Sequence, residues 1–255
     1  MTISQSWLAD RAAEFLANLA FCTRLPLSRT TPVAGDALAK AAWAFPLAGL
    51  VVGLIGAIVY ALARKFGLPP WPGAALAVAA TVLVTGALHE DGLADTADGF
   101  GGGATREQKL DIMRDSHIGV YGVCAVVLSL LLRVAALASL PDGHLVVWAL
   151  IAAHAAARAT MPALMFLLPP ARSDGLSFDA GQPPSDGTAA AAVLGFAILA
   201  FCLHPGRAIV ALIFLFIAVA LMAWLARRQI GGQTGDVLGA LEQVSEITIL
   251  LVALG

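Results

Sequence analysis

Residues 188–226 read TAAAAVLGFAILAFCLHPGRAIVALIFLFIAVALMAWLA, and their one charged residue is Arg207. A mostly apolar run of about 20 residues is long enough to cross the hydrocarbon core of a bilayer as a helix. This stretch holds two such runs, 188–203 and 208–226, with His204 in the loop between them. Working outward adds five more, at 41–63, 72–90, 119–139, 145–168 and 235–254. Of the seven, 188–203 is short and 235–254 carries Asp236, Glu242 and Glu246. Composition agrees: the chain is 59% hydrophobic and 13% charged, with a mean hydropathy of +0.85, where a soluble domain carries about 25% charged residues. The expectation is an all-α, polytopic integral membrane bundle, a single domain over 1–255. It would have about seven transmembrane helices and an N-terminal amphipathic helix.

Residues 1–40 form an interfacial N-terminal segment in this reading. Asp10, Arg11 and Glu14 interrupt any apolar core, so it does not read as a signal peptide. Leu8, Ala12, Phe15 and Leu19 share a helical face, which suits a helix lying along the membrane surface or one packed on the bundle. Cys22, Cys124 and Cys202 are odd in number and far apart, and read as small apolar groups. No basic block with interleaved aromatics points to nucleic acid. With residues 1–40 cytoplasmic, that face receives Arg11, Arg24, Arg29, Lys40, Arg106, Lys109, Arg114, Arg172, Arg227 and Arg228. The other face receives Arg64, Lys65 and Arg207. A bias of ten to three sets the orientation, since cytoplasmic loops collect Lys and Arg. It places the polar segments 89–118, 169–187 and 227–236 together on one cytoplasmic surface.

The chemistry concentrates in residues 89–119, beginning His89-Glu90-Asp91-Gly92-Leu93-Ala94-Asp95-Thr96-Ala97-Asp98-Gly99. On a continuous helix Asp91, Asp95 and Asp98 fall within about 60° of arc. Like charges so placed repel. A divalent cation held by oxygen ligands turns that repulsion into coordination, and Mg²⁺ is typically held by a few carboxylates plus substrate phosphates. Phe100-Gly101-Gly102-Gly103 then reads as a turn, because glycine disfavours helix. Thr105 and Gln108 make a capping-box pattern opening a second helix, on which Asp111 and Asp115 stand four apart. The expected object is an acidic catalytic helical hairpin, its two acidic faces opposed. Arg106, Lys109, Arg114 and His117 surround it as candidate phosphate ligands. The plain alternative is a solvated loop.

HEDGLADTADGF followed by DIMRDSHIGVYG resembles the cobalamin synthase family, adenosylcobinamide-GDP ribazoletransferase. Thr23-Arg24-Leu25-Pro26, Phe45-Pro46-Leu47-Ala48-Gly49 and the segment Gly231 to Gly239 extend the likeness along nearly the whole chain. The resemblance implies a Mg²⁺-dependent last step in assembling the nucleotide loop of vitamin B12. The 5′-hydroxyl of α-ribazole, or of its 5′-phosphate, attacks the cobinamide-linked phosphate of adenosylcobinamide-GDP and releases GMP. Asp91, Asp95, Asp98 and Asp115 are then the expected metal ligands, and Asp111 or Asp115 the acceptor of the hydroxyl proton. The partners are those two substrates and the lipid bilayer; a homo-oligomer stays open. Asp95, Asp98, Gly99, Asp111 and Asp115 also echo the DxxDG and later DxxxD of CDP-alcohol phosphotransferases, but the Ala-Arg pair after DxxDG is missing. That membrane transferase and a cation-coupled transporter are the competing readings.

Ionisable residues inside the spans are functional by default. His154 and Arg158 stand four apart, with Pro162 beyond them as a kink, and Asp236, Glu242, Gln243 and Glu246 share one side of the last helix. They read either as the wall of a substrate cavity, with Arg158, Asp236 and Glu242 on substrate, or as an ion pair of Arg158 with Glu242 or Glu246. Thr234 reads as the cap of the last helix. Arg133 reads as snorkelling outward and His89 as a candidate ligand. The loop 169–187 is a lid or a connector, with Arg172 its best anion ligand.

Overall fold

The computed structural model describes residues 3–27 and 37–255, so Arg29 lies outside the described residues. The described chain is helical, and its one β-like pairing is an isolated parallel bridge between Pro170 and Gln233. α1 (Ile3–Cys22), the short α2 (Ala37–Lys40) and a 3₁₀ turn lead into α3 (Phe45–Lys65), α4 (Pro70–Thr85), α5 (Leu88–Gly102) and α6 (Arg106–Ile112). α7 (Val120–Ser139), α8 (Gly143–Leu167), α9 (Leu176–Ala180), α10 (Ser185–Ile230) and α11 (Gly235–Val252) complete it. Four helical stretches, from Leu38, Val120, Gly143 and Ser185 onward, are each long and apolar enough to cross a membrane, and α4 with α5 makes a fifth only as one bent pair. The all-α membrane bundle therefore stands; the count of seven is not established by length and composition.

The differences have local causes. The 72–90 span stops at Thr85, where Gly86 (φ 66) and Ala87 (φ 58) are both left-handed and α5 leaves at 87° to α4. α10 runs 46 residues with one non-helical residue, His204 (φ 65, ψ 152), followed by Pro205. A straight helix of that length would be roughly twice the bilayer core. Both ends of α10 nonetheless lie at one end of the bundle. Gly187 faces Ala42, while Ile230 shares a buried cluster with Phe45, Leu110 and Leu168. Leu199, Leu203, Ala208 and Leu215 pack instead in the cluster at the opposite end. The break at His204 thus reverses the chain.

α8 is the axis, buried at every residue from Ala149 to Pro162 and helical straight through Pro162. Small side chains explain the close packing, since they let backbones approach. A Cβ at Gly53 of α3 would lie 2.7 Å from the Leu150 carbonyl, and one at Gly49 would collide with that of His154. α1 settles the choice left open for it by halves. Asn18, Leu19 and Cys22 are buried in the bundle, whereas Trp7, Leu8 and Leu16 stay exposed. Cys202 is also buried, but Cys124 sits on the outer surface of α7.

Candidate functional site

A cleft opens at the end of the bundle where α5, α11 and the 169–182 loop meet. Phe21, Phe45, Met161 and Met165 give it an apolar floor, and Asp91, Asp236 and Arg172 line it. Two close helix approaches build this mouth. Gly92 of α5 lies against the backbone of Asp236, where a Cβ would come within 2.8 Å, and Gly239 of α11 lies against His89. Thr234 caps α11 as expected, its hydroxyl accepting from Val237 N and donating to Asp236 Oδ2 at 3.1 Å. Asp236 is thereby held toward α5. The charged groups that act on Asp95 are Asp236, Asp91, Asp98 and Arg172. Arg172 lies 3.7 Å from Asp236.

The acid facing the α5 aspartates is therefore Asp236 of α11, and the expected opposed hairpin is corrected on three points. α5 continues as helix through Phe100, Gly101 and Gly102, and the chain turns only at Gly103. Lys109, buried beneath that turn, donates to the carbonyls of Phe100 and Gly103, so its ammonium closes the end of α5. α6 has the full Thr105–Gln108 capping box but ends at Ile112. Asp115 thus lies beyond it, exposed, with its Oδ1 2.6 Å from His117 Nδ1. That pairing raises the pKa of His117 and lowers that of Asp115, mainly through the shared hydrogen bond. Asp111 is exposed.

The other expected residues divide between the mouth and structural tasks. Asp98 accepts from the amides of Gly119 and Gly122 at 2.7 and 2.9 Å, fixing the start of α7. Arg106 donates to the carbonyls of Ile230 and Ala171, clasping α6 to two loops. Arg114 Nη2 donates to both carboxylate oxygens of Asp174, at 2.6 and 2.7 Å. The 169–182 loop is docked over the 231–234 loop. Gln233 and residues 169–171 exchange backbone hydrogen bonds, and the buried Gln233 side chain accepts from Ser177 at 2.6 Å.

Below the mouth lies a buried charge network. Arg158 pairs with Glu242 at 2.6 Å, and both are almost wholly buried, so the ion-pair reading of this pair is the one realised. Arg133 does not snorkel. It is 1% exposed and held by Glu90 at 2.7 Å, Glu246 at 2.9 Å and Gln243 at 2.9 Å. Its guanidinium is surrounded because α7 turns that face inward onto α5 and α11. His89 lies 3.7 Å from Glu242, and His154 3.3 Å from Glu246. Among the described residues, the one group of three acid or histidine side chains with ligand atoms within 4.8 Å is His154, Glu242 and Glu246. Two guanidinium groups already neutralise it, which disfavours a metal there. The mouth suits a hard cation better, because Asp91 and Asp236 offer carboxylate oxygens at an open cleft and Mg²⁺ typically fills its remaining positions with water and phosphate.

Sequence reading missed Glu90, Gln233 and Asp174. Glu90 had a signal: Arg133 is the one cation of its span, and such a residue needs a partner in lipid.

The sequence profile of the family described as cobalamin-5-phosphate synthase matches residues 14–254. A relative in Bradyrhizobium diazoefficiens, named adenosylcobinamide-GDP ribazoletransferase, is 59% identical over 91% of this chain and 90% of its own. Relatives of the same name in Mesorhizobium japonicum and Azorhizobium caulinodans are 58% and 47% identical, covering 99% and 94% of this chain and 96% and 94% of theirs. No solved structure matches.

Proposed function

This chain belongs to the cobalamin-5-phosphate synthase family, and on that premise we propose that it is an adenosylcobinamide-GDP ribazoletransferase working at its acidic cleft. The 5′-hydroxyl oxygen of α-ribazole, or of its 5′-phosphate, forms a bond to the cobinamide-linked phosphorus. The bond from that phosphorus to the GMP oxygen breaks, and GMP leaves with the electron pair. The observation carrying this reading is that Asp91 of α5 and Asp236 of α11 line one cleft with Arg172, while Asp95, one helical turn beyond Asp91, is within electrostatic reach of all three.

Those three carboxylates are the proposed holders of Mg²⁺, which when bound neutralises charge on the transferring phosphate. Asp98 and Asp115, also expected as ligands, are engaged by the α7 amides and by His117, so they support the site from its edges. Arg172 is the guanidinium at the cleft that would meet phosphate charge. The apolar floor excludes water, which would compete with the acceptor hydroxyl. Of the two expected proton acceptors, Asp111 makes no ion pair among the described residues while Asp115 is held by His117, so Asp111 is the freer. The ten-to-three bias of Lys and Arg supports a cleft on the cytoplasmic face of the inner membrane, where water-soluble substrates would arrive.

The test is direct. Purified protein in detergent receives adenosylcobinamide-GDP, α-ribazole and Mg²⁺, and GMP and cobalamin are assayed. Stoichiometric release is expected. No product, together with CMP release from a CDP-alcohol and an acceptor alcohol, would replace this reading with the lipid transferase.

A further inference from the structure

Asp174 lies on the 169–182 loop at the rim of the cleft, and two arginines address it. Arg114, from the segment after α6, donates from Nη2 to both of its carboxylate oxygens, at 2.6 and 2.7 Å. Arg172 Nε lies 3.7 Å from the same Oδ1. Arg172 also faces Asp236 at 3.7 Å, and its Nη1 is buried without a hydrogen-bond partner. A single carboxylate thus lies between two guanidinium groups, one of which reaches into the acidic mouth and has a donor to spare. Two arginines converging on one small anion is the arrangement that recognises phosphate, because each fork presents parallel N–H donors. A phosphate monoester carries about −1.5 to −2 charge at neutral pH and three acceptor oxygens, against one charge and two oxygens for Asp174. The Arg114–Asp174 pair is half exposed on both sides, and exposed ion pairs are easily broken.

Resting on the proposed ribazoletransferase reading, we propose that Arg114 and Arg172 form a subsite for the phosphate monoester of a nucleotide, and that Asp174 occupies it as an internal stand-in until the nucleotide arrives. Two nucleotides bring such a group: the acceptor in its 5′-phosphorylated form, and GMP as it leaves. A latch whose only task is to fasten the loop behaves differently. Cutting a latch from either side has the same effect, whereas removing a stand-in and removing its receptor have opposite effects.

The experiment uses the full chain in detergent with adenosylcobinamide-GDP and Mg²⁺. It compares KM for α-ribazole 5′-phosphate with KM for α-ribazole, and measures inhibition by added GMP, in wild type, Asp174→Asn and Arg114→Ala. For at least one of the two monoesters, Asp174→Asn should tighten binding about fivefold and Arg114→Ala weaken it by a similar factor. If the KM ratio moves, the subsite takes the acceptor phosphate; if GMP inhibition moves, it takes the leaving nucleotide. Shifts of the same sign in both variants, or no shift in either, would overturn the proposal. Melting temperatures within a few degrees of wild type exclude misfolding, and Arg114→Lys should recover part of the loss. Wild type that releases no GMP at all would instead overturn the ribazoletransferase reading.

Discussion

The mouth of the cleft and the network below it use nearly the same residue types in opposite ways. In the network Glu90, Glu242 and Glu246 are buried with Arg133 and Arg158 among them, each carboxylate within 3 Å of a guanidinium. At the mouth Asp91, Asp95 and Asp236 have one arginine, Arg172, at 3.7 Å from Asp236. Burying an ion without a partner is costly, and breaking a buried pair leaves that cost uncovered. The network therefore satisfies its charges internally and holds α5, α7, α8 and α11 in place. The mouth leaves a surplus of negative charge for something brought from outside. Residues adjacent in sequence, Glu90 and Asp91, fall on opposite sides of this division.

That contrast breaks most visibly at Asp95. Asp95→Asn should lower turnover by at least the roughly 100-fold that even residues around a metal's ligands cost, with the melting temperature nearly unchanged, read by GMP release and thermal unfolding in detergent. Full activity would remove Asp95 from the proposed metal site. The converse holds at Arg133. Arg133→Ala should destabilise by about 3–5 kcal/mol, because two glutamates lose their partner, and Arg133→Met combined with Glu90→Gln and Glu246→Gln should recover most of it. Asp98→Asn sits between the two. Losing charge-assisted hydrogen bonds to Gly119 and Gly122 should cost about 1–3 kcal/mol, while the Mg²⁺ concentration for half-maximal rate moves less than in Asp95→Asn. The smallest effect is at the surface. His117 should titrate above its ordinary value and Asp115 below, so the pair is fully charged between the two. Its contribution is lost as pH rises through the His117 value and as it falls through that of Asp115. Asp115→Asn should bring the His117 midpoint, followed by NMR, back toward 6.5.

How much of this was legible in the sequence follows from which interactions are local. The bundle was legible because apolar run length is a local property, and the Thr105–Gln108 box and the Thr234 cap were legible because their partners lie three residues away. The α5 aspartates were legible from helical spacing alone. Asp236 as their counterpart was not, since it depends on Gly92 and Gly239 letting α5 and α11 approach. Arg133 misled for the same reason: a lone arginine in a span reads as snorkelling until the helices carrying Glu90 and Glu246 are in place. The extent of α5 through Phe100–Gly102 shows glycine's helix penalty of about 1 kcal/mol being overridden by Lys109 beneath the turn.

The reversal at His204 has a consequence for how the polypeptide is joined together. Ahead of it the chain carries Arg133 and Arg158; behind it come Glu242, Glu246, Asp236 and Gln233. The two portions are matched like a plug and socket, by buried opposite charges and by the Pro170–Gln233 bridge. The peptide linkage at His204–Gly206 is thus a tether at the end remote from the cleft. The contacts that close the cleft mouth are thus made between the two portions through space, and none of them runs through that tether.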